Sequence, residues 1–165
     1  MWRLAFPMSS SIEKHPAFEP QDPDYRVRVE NSFARQKAMT TLKMKLTRIG
    51  PGEIELMFPY QEELTQQHGF IHAGIVATAL DSACGYAAFS LMPPRAAVLT
   101  IEFKTNLLAP AQGDYFRVVG RVIKPGRTIT VCQAEAFAHR QSESRLVASM
   151  TATLMALFDR EGIQD

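Results

Sequence analysis

The sequence has little of what would mark a specialised class. Only two cysteines, Cys84 and Cys132, stand in 165 residues. That is too few for a disulfide-stapled scaffold, so a reducing, cytoplasmic setting is expected. The formal net charge is +1, with no run of clustered Lys and Arg. A phosphate backbone or an anionic membrane surface would call for such a run, so neither partner is expected. No internal repeat occurs, and no low-complexity tract beyond Ser9–Ser11. No Gly-x-Ser-x-Gly elbow is found either, which argues against a nucleophilic serine on an α/β scaffold.

What remains is an ordinary globular composition, 46% apolar and 21% charged, at a length that supports one core. Met1–Pro7 carries one Arg and too short an apolar stretch for a signal peptide. With Pro16, Pro20 and Pro23 it reads as a flexible leader over 1–23, followed by a single domain over 24–160. One long apolar run, Gly69–Met92, holds Asp81 as its only formal charge and ends at Pro93-Pro94. A charge at a bilayer centre costs about 3 kcal/mol or more. A buried helix over about 73–91 is therefore expected, with no membrane partner.

The remaining chain alternates between two periods. Tyr25, Val29 and Phe33 recur at helical spacing, so an amphipathic helix is expected over 24–39. Leu42, Met44 and Leu46, then Ile54, Leu56 and Phe58, alternate with polar residues around Gly50-Pro51-Gly52, which predicts a β-hairpin. Four more alternating runs follow the apolar helix, at Val98–Leu108, Tyr115–Ile123, Thr128–Ala138 and Arg145–Phe158. In the first, Leu99, Ile101, Phe103 and Leu107 are read onto one face and Thr100, Glu102, Lys104 and Asn106 onto the other. Short connections favour an antiparallel meander. The expected class is α+β: a six-stranded antiparallel curved sheet wrapped around the apolar helix, with the amphipathic helix in front.

Chemistry concentrates at the start of the buried helix. Thr65–Gly74 is a polar, Gly-containing loop running into a helix N-terminus, where unpaired N–H groups can hold an oxyanion. Gly74 permits close approach. Asp81, two turns further in, is a carboxylate among apolar neighbours, which calls for a partner or a task. His68 and His72 have the i, i+4 spacing of a metal pair, but Gly69 lies between them and no Glu follows His68, so zinc is not expected. Cys84 is about three turns from His72 along the same helix, which favours a structural thiol over a nucleophile. Lys124-Pro125-Gly126-Arg127 reads as a strand turn, either solvated or facing a phosphate.

From Phe33 to Phe158 the chain resembles the hotdog-fold acyl-CoA thioesterases of the phenylacetic-acid-degradation (PaaI-like) type. The motif there is Asn, five residues, His-Gly-Gly, then Asp seven beyond the second Gly. Here it stands as Gln66, His72-Ala73-Gly74 and Asp81, continued by Ser82–Ala87, with Thr100–Lys104, Ala109-Pro110 and Gly126-Arg127 also similar. The resemblance implies thioester hydrolysis of a medium- or long-chain or aromatic acyl-CoA, with no cofactor, coenzyme A being part of the substrate. Asp81 would act as base or nucleophile. The N–H of Ala73, joined by that of Gly74, would polarise the carbonyl. His72 would fix the loop, Gln66 would place water or carbonyl, and Thr100 would orient water. Lys124 and Arg127 would meet the phosphates of coenzyme A. The acyl pocket is expected to draw on Ile75, Leu80, Phe89 and the strand faces. A homo-oligomer, dimer or dimer of dimers, with sites at the subunit interface is implied; the alternative is a non-catalytic acyl-CoA-binding or regulatory protein of the same fold. Two departures, Gln66 for Asn and Ala73 for the first Gly, lengthen one side chain and add one methyl.

Overall fold

The computed structural model describes residues 18–158. Of the expected leader, 1–17 lies outside these residues, as do 159 and 160 of the expected domain. The rest of the leader, 18–23, instead packs on the domain. Asp22 is buried and pairs with Arg28 at 2.8 Å, and Gln21 Nε2 donates to the Leu91 carbonyl.

Two short helices open the chain, α1 (Tyr25–Arg35) and α2 (Lys37–Thr41), where one helix was expected. Gln36 is extended, with ψ of 102°, and breaks them. The α1 stripe of Val29 and Phe33 is buried, and Arg28 lies along the end of the apolar helix. Its guanidinium donates to the carbonyls of Phe89, Met92 and Pro93 and stacks 4.2 Å from the Phe89 ring. A cation at a helix C-terminus satisfies carbonyls that the helix leaves open.

The sheet strands are β1 (Lys45–Gly50), β2 (Glu53–Pro59), β3 (Ala96–Leu107), β4 (Tyr115–Lys124), β5 (Ile129–Arg140) and β6 (Glu143–Phe158). Between β2 and β3 runs α3 (Ala73–Phe89). The first hairpin arm begins later than its alternation suggested, because Lys43 takes a positive φ of 52°. All pairings are antiparallel, but the order is β1-β2-β4-β5-β6-β3. The expected meander holds only for β4, β5 and β6. β3 crosses to the far edge and pairs with β6, while β4 returns to β2, so β3 is an edge strand of the sheet. Sheet and helix together form the expected hotdog architecture.

α3 presses on the middle of the sheet through Val76, Ala79, Leu80, Ala83 and Ala87, all essentially inaccessible. Its closest approach is to Gly120 of β4, where an added Cβ would lie 2.4 Å from the Ala83 carbonyl carbon. The opposite face of α3 stays partly open: Gly74, Ala77, Thr78, Asp81, Ser82 and Gly85 form a strip of small residues that no element of the described residues covers.

Gly120→Ala is therefore expected to force α3 off the sheet, at a cost of about 2–4 kcal/mol or more. Gly50→Ala, whose new Cβ would meet only the Glu53 carbonyl at 3.7 Å, should stay near wild type. Urea midpoints of the two variants check this; equal midpoints would contradict the close contact.

Candidate functional site

The loop ahead of α3 is tightly built. Gln66 N–H donates to the Phe70 carbonyl and Gly69 N–H to the Gln66 carbonyl, with Gly69 at a φ of +77°. That left-handed conformation is what a glycine supplies at a tight turn. Ile71 N–H reaches the Ala111 carbonyl, His72 N–H the Leu64 carbonyl, and Tyr60 Oη donates to the Gly69 carbonyl. The loop is thus fixed to the segments that follow β2 and β3 before the helix begins.

His72 is the N-cap of α3. Its Nδ1 accepts the Gly74 N–H at 3.0 Å, so Nδ1 carries no proton in this arrangement. This gives the expected loop-fixing role a specific atom. It also removes the Gly74 N–H from the oxyanion donors that were expected. The Ala73 N–H, at the first helical position, has no acceptor among the described residues. Ala73 is exposed, and its N–H is the available donor at the positive end of the helix dipole.

Gln66 contributes in two ways. Its Oε1 accepts the His68 N–H at 2.7 Å, which turns the loop and leaves Nε2 as a donor. Gln66 and Ala73 also line an open cavity of about 390 Å³, walled by Phe70, Val76, Leu107 and Val147 among others. A concave, mostly apolar space beside a few polar groups is what a small-molecule site needs. The expected lining is corrected here: Leu80 and Phe89 are sealed in the core beneath the sheet, and Ile75 is half-buried at its margin.

Asp81 lies on the open strip of α3, and Thr100 Oγ1 donates to its Oδ1 at 2.7 Å. Thr100 reaches it because β3 carries a bulge between Thr100 and Glu102. Thr100 pairs with Leu154, on the helix side of the sheet. After the bulge Phe103, Thr105 and Leu107 take that side, and Glu102 turns outward to accept a bond from Thr153 Oγ1. The expected single face of Leu99, Ile101, Phe103 and Leu107 is thereby broken, since one extra residue reverses every side chain after it.

Burial holds the Asp81 carboxyl above its ordinary value, and the Thr100 hydrogen bond pulls it partly back. The two thiols are poor nucleophile candidates by comparison. Burial pushes Cys84 far up, and Cys132 to about 12, and both side chains are inaccessible. No hydrogen bond or ion pair joins Lys124 or Arg127 to Asp81 or Ala73 among the described residues. Arg127 lies instead at the far end of α3, in a 160 Å³ cavity with Leu91 and Met92. Sequence reading missed the cap on Gly74 and the bulge at Ile101. A His directly before the helix signals the first; no residue type signals the second.

Thr100→Val removes the donor that favours the Asp81 anion, so the Asp81 pKa is expected to move further up. The carboxylate then stays protonated to higher pH, and any function of the anion is lost at a higher pH on acidification. A carboxyl ¹³C titration of both proteins measures this; an unchanged midpoint would rule out the Thr100 contribution.

Known proteins resemble this chain in sequence and in fold. The Thioesterase superfamily model matches residues 68–144, from the loop to the start of β6. A solved thioesterase family protein from Silicibacter pomeroyi is 59% identical and superposes with a TM-score of 0.81 over 81% of this chain and 98% of its own. The PaaI protein of the Escherichia coli phenylacetic acid degradation operon is 16% identical, with a TM-score of 0.73 over 86% of this chain and 96% of its own, and shares the fold. Curated relatives with provisional esterase names are more partial matches. The Saccharolobus solfataricus protein is 33% identical over 57% of this chain and 66% of its own length. The Halobacterium salinarum protein is 40% identical over 50% and 57%. The expected enzyme class, a thioester hydrolase, is the one these relatives support, and the chain belongs to the thioesterase superfamily.

Proposed function

We propose that the protein hydrolyses the thioester of an acyl-CoA to the free acid and coenzyme A, with Asp81 as general base on the attacking water. The observation that carries this reading is the Asp81–Thr100 pair. It sets a desolvated yet hydrogen-bonded carboxylate on an open face of the helix whose first N–H, at Ala73, has no acceptor among the described residues. A carboxylate with a raised pKa is a stronger base than an ordinary one. The Ala73 N–H would polarise the carbonyl, and Gln66 Nε2 would hold water or carbonyl beside it. The apolar cavity of about 390 Å³ supports a medium- or long-chain or aromatic acyl group over acetyl.

A second copy of the chain completes the site in this reading. Eight residues of helix separate Ala73 from Asp81 by about 12 Å between Cα atoms. A bound carbonyl and a bound water each sit only about 3 Å from their protein partners. Two copies packed across the open strip, related by a two-fold axis beside Ala77, would bring Asp81 of one opposite Ala73 of the other. The strip is built of small residues, and β3 supports the same arrangement. It lies at the edge of the sheet, with Leu99, Ile101, Phe103 and Leu107 exposed along it. Such an edge is a template for another strand. Arg127, at the other end of α3, would then stand on the side where the second copy's loop arrives, with Lys124, as a contact for coenzyme A phosphates.

Two variants test the chemistry and the assembly together. Asp81→Asn removes the base and is expected to lower kcat by about 10²–10⁴-fold. Ala73→Pro removes only an N–H, at a helix position where Pro is well tolerated, and should cost about 10²–10³-fold. His72 is already extended, with ψ of 138°, as a residue before Pro must be. After mixing and subunit exchange of the two inactive variants, roughly a quarter of wild-type activity should return, because half the dimers then carry one intact site. Free-thiol release from a panel of acyl-CoAs reads all three. No recovery on mixing would refute the shared site, and acyl-CoA binding without turnover by wild type would favour a binding protein instead.

A further inference from the structure

The apolar cavity beside Ala73 has a mouth and a closed end. Leu107 and Leu108 on its lining are exposed, as is Ala73 itself. Val76 of α3 and Val147 of β6, on the same lining, are essentially inaccessible. Gln66 carries the one polar side chain among the lining residues, so the enclosed part suits a hydrocarbon group.

Val147 reaches the cavity through a second irregularity in the sheet. Ala136 of β5 is paired with Ala148 of β6, but the next residue, Phe137, is paired with Leu146. Val147 is therefore the extra residue of a β-bulge, a feature that re-aims a side chain. In a regular strand Val147 and Ala148 would point to opposite faces. Here both are buried, Ala148 in the core with Met150 and Ala152, and Val147 on the cavity wall. The Val147 carbonyl accepts the N–H groups of Leu108 at 2.9 Å and Ala109 at 3.2 Å. Both of those residues also line the cavity, so the bulge is tied to the wall it completes.

Resting on the acyl-CoA reading above, we infer that Val147 is a specificity-determining position that sets how long an acyl chain the cavity accepts. A thioester carbonyl held by the Ala73 N–H lies at the mouth, because Ala73 stands on the lining of the same chain's cavity. The acyl chain then runs inward toward Val76 and Val147. A β-branched side chain has little rotamer freedom, so Val147 is a stiff stop rather than a yielding one. The substrate class is a straight hydrocarbon acyl group of limited length. Each methylene short of Val147 gains burial, and each one beyond it meets a wall.

The test uses the full chain as wild type, Val147→Ala, Val147→Leu and Val118→Ala. Val118 is an equally buried valine of β4 that is not on the cavity lining. The kcat/KM is measured for butyryl-, hexanoyl-, octanoyl-, decanoyl- and dodecanoyl-CoA, with thermal melting alongside. Wild type should rise to an optimum length and fall beyond it. Val147→Ala is expected to raise kcat/KM for the first chain past that optimum about tenfold relative to the optimum chain, and Val147→Leu to move the optimum to a shorter chain. Val118→Ala should melt lower, as Val147→Ala does, yet keep the wild-type optimum. An unchanged optimum in Val147→Ala would overturn the inference, as would the same shift in Val118→Ala, which lost packing alone would then explain. Where Val147→Leu does not fold, Val147→Ala decides. In each of these cases a wild type that turns over acyl-CoA leaves the thioesterase reading standing, whereas an inert wild type overturns both.

Discussion

The close contact of α3 with β4 governs the rest of this structure. Ala83 meets the sheet where Gly120 provides no side chain, so the helix backbone approaches the strand as nearly as sterics permit. With one side of the helix committed to the sheet, its opposite side is determined by the helical period. Asp81 stands two residues before Ala83, which turns it about 200° away from the contact. The burial that raises the Asp81 pKa and the exposure that leaves it usable both follow. A helix set further out would leave the carboxylate more hydrated and an ordinary acid.

Asp81 is held in a balance between two opposing effects. Removal from water disfavours the anion, and the Thr100 hydroxyl favours it. Fully buried without a donor, the carboxyl would be neutral and could not take a proton. Fully solvated, it would be a weak base. The β3 bulge sets the balance, because without the extra residue at Ile101 the strand could not face Thr100 toward the helix and also bring Phe103 and Leu107 to the same side. A polar contact and an apolar wall are obtained from one strand by a local defect in its pairing.

Much of this was legible in the sequence. The apolar run from Ala73 with a single Asp, the polar loop before it and the alternating segments after it gave the helix, the six strands and the candidate carboxylate. Three features were not legible, for separable reasons. The break at Gln36 depends on how α1 and α2 pack rather than on any helix-breaking residue. The edge position of β3 depends on which strands meet across the helix, and neighbouring strands in sequence are only commonly neighbours in space. The bulge at Ile101 inverted half of a face that looked regular, because alternation reports side-chain period and not register. His72 lay between these cases: its position before the helix was visible, but its capture of the Gly74 N–H needed coordinates.

That capture changes the chemistry available at the helix terminus. A terminus with several free N–H groups binds an anion diffusely. Here the His72 ring takes one donor, and the carbonyls of Leu64 and Ala111 take those of His72 and Ile71, so among the described residues the N–H at Ala73 is the one left without an acceptor. One donor at a fixed place stabilises charge that develops at one atom, which suits a transition state better than a ground-state ion. The methyl of Ala73, a departure from the glycine of the related motif, would leave the proposed donor role untouched, since the donor belongs to the backbone. It would narrow the approach to the apolar cavity instead, since Ala73 stands on the lining of that cavity beside Gln66.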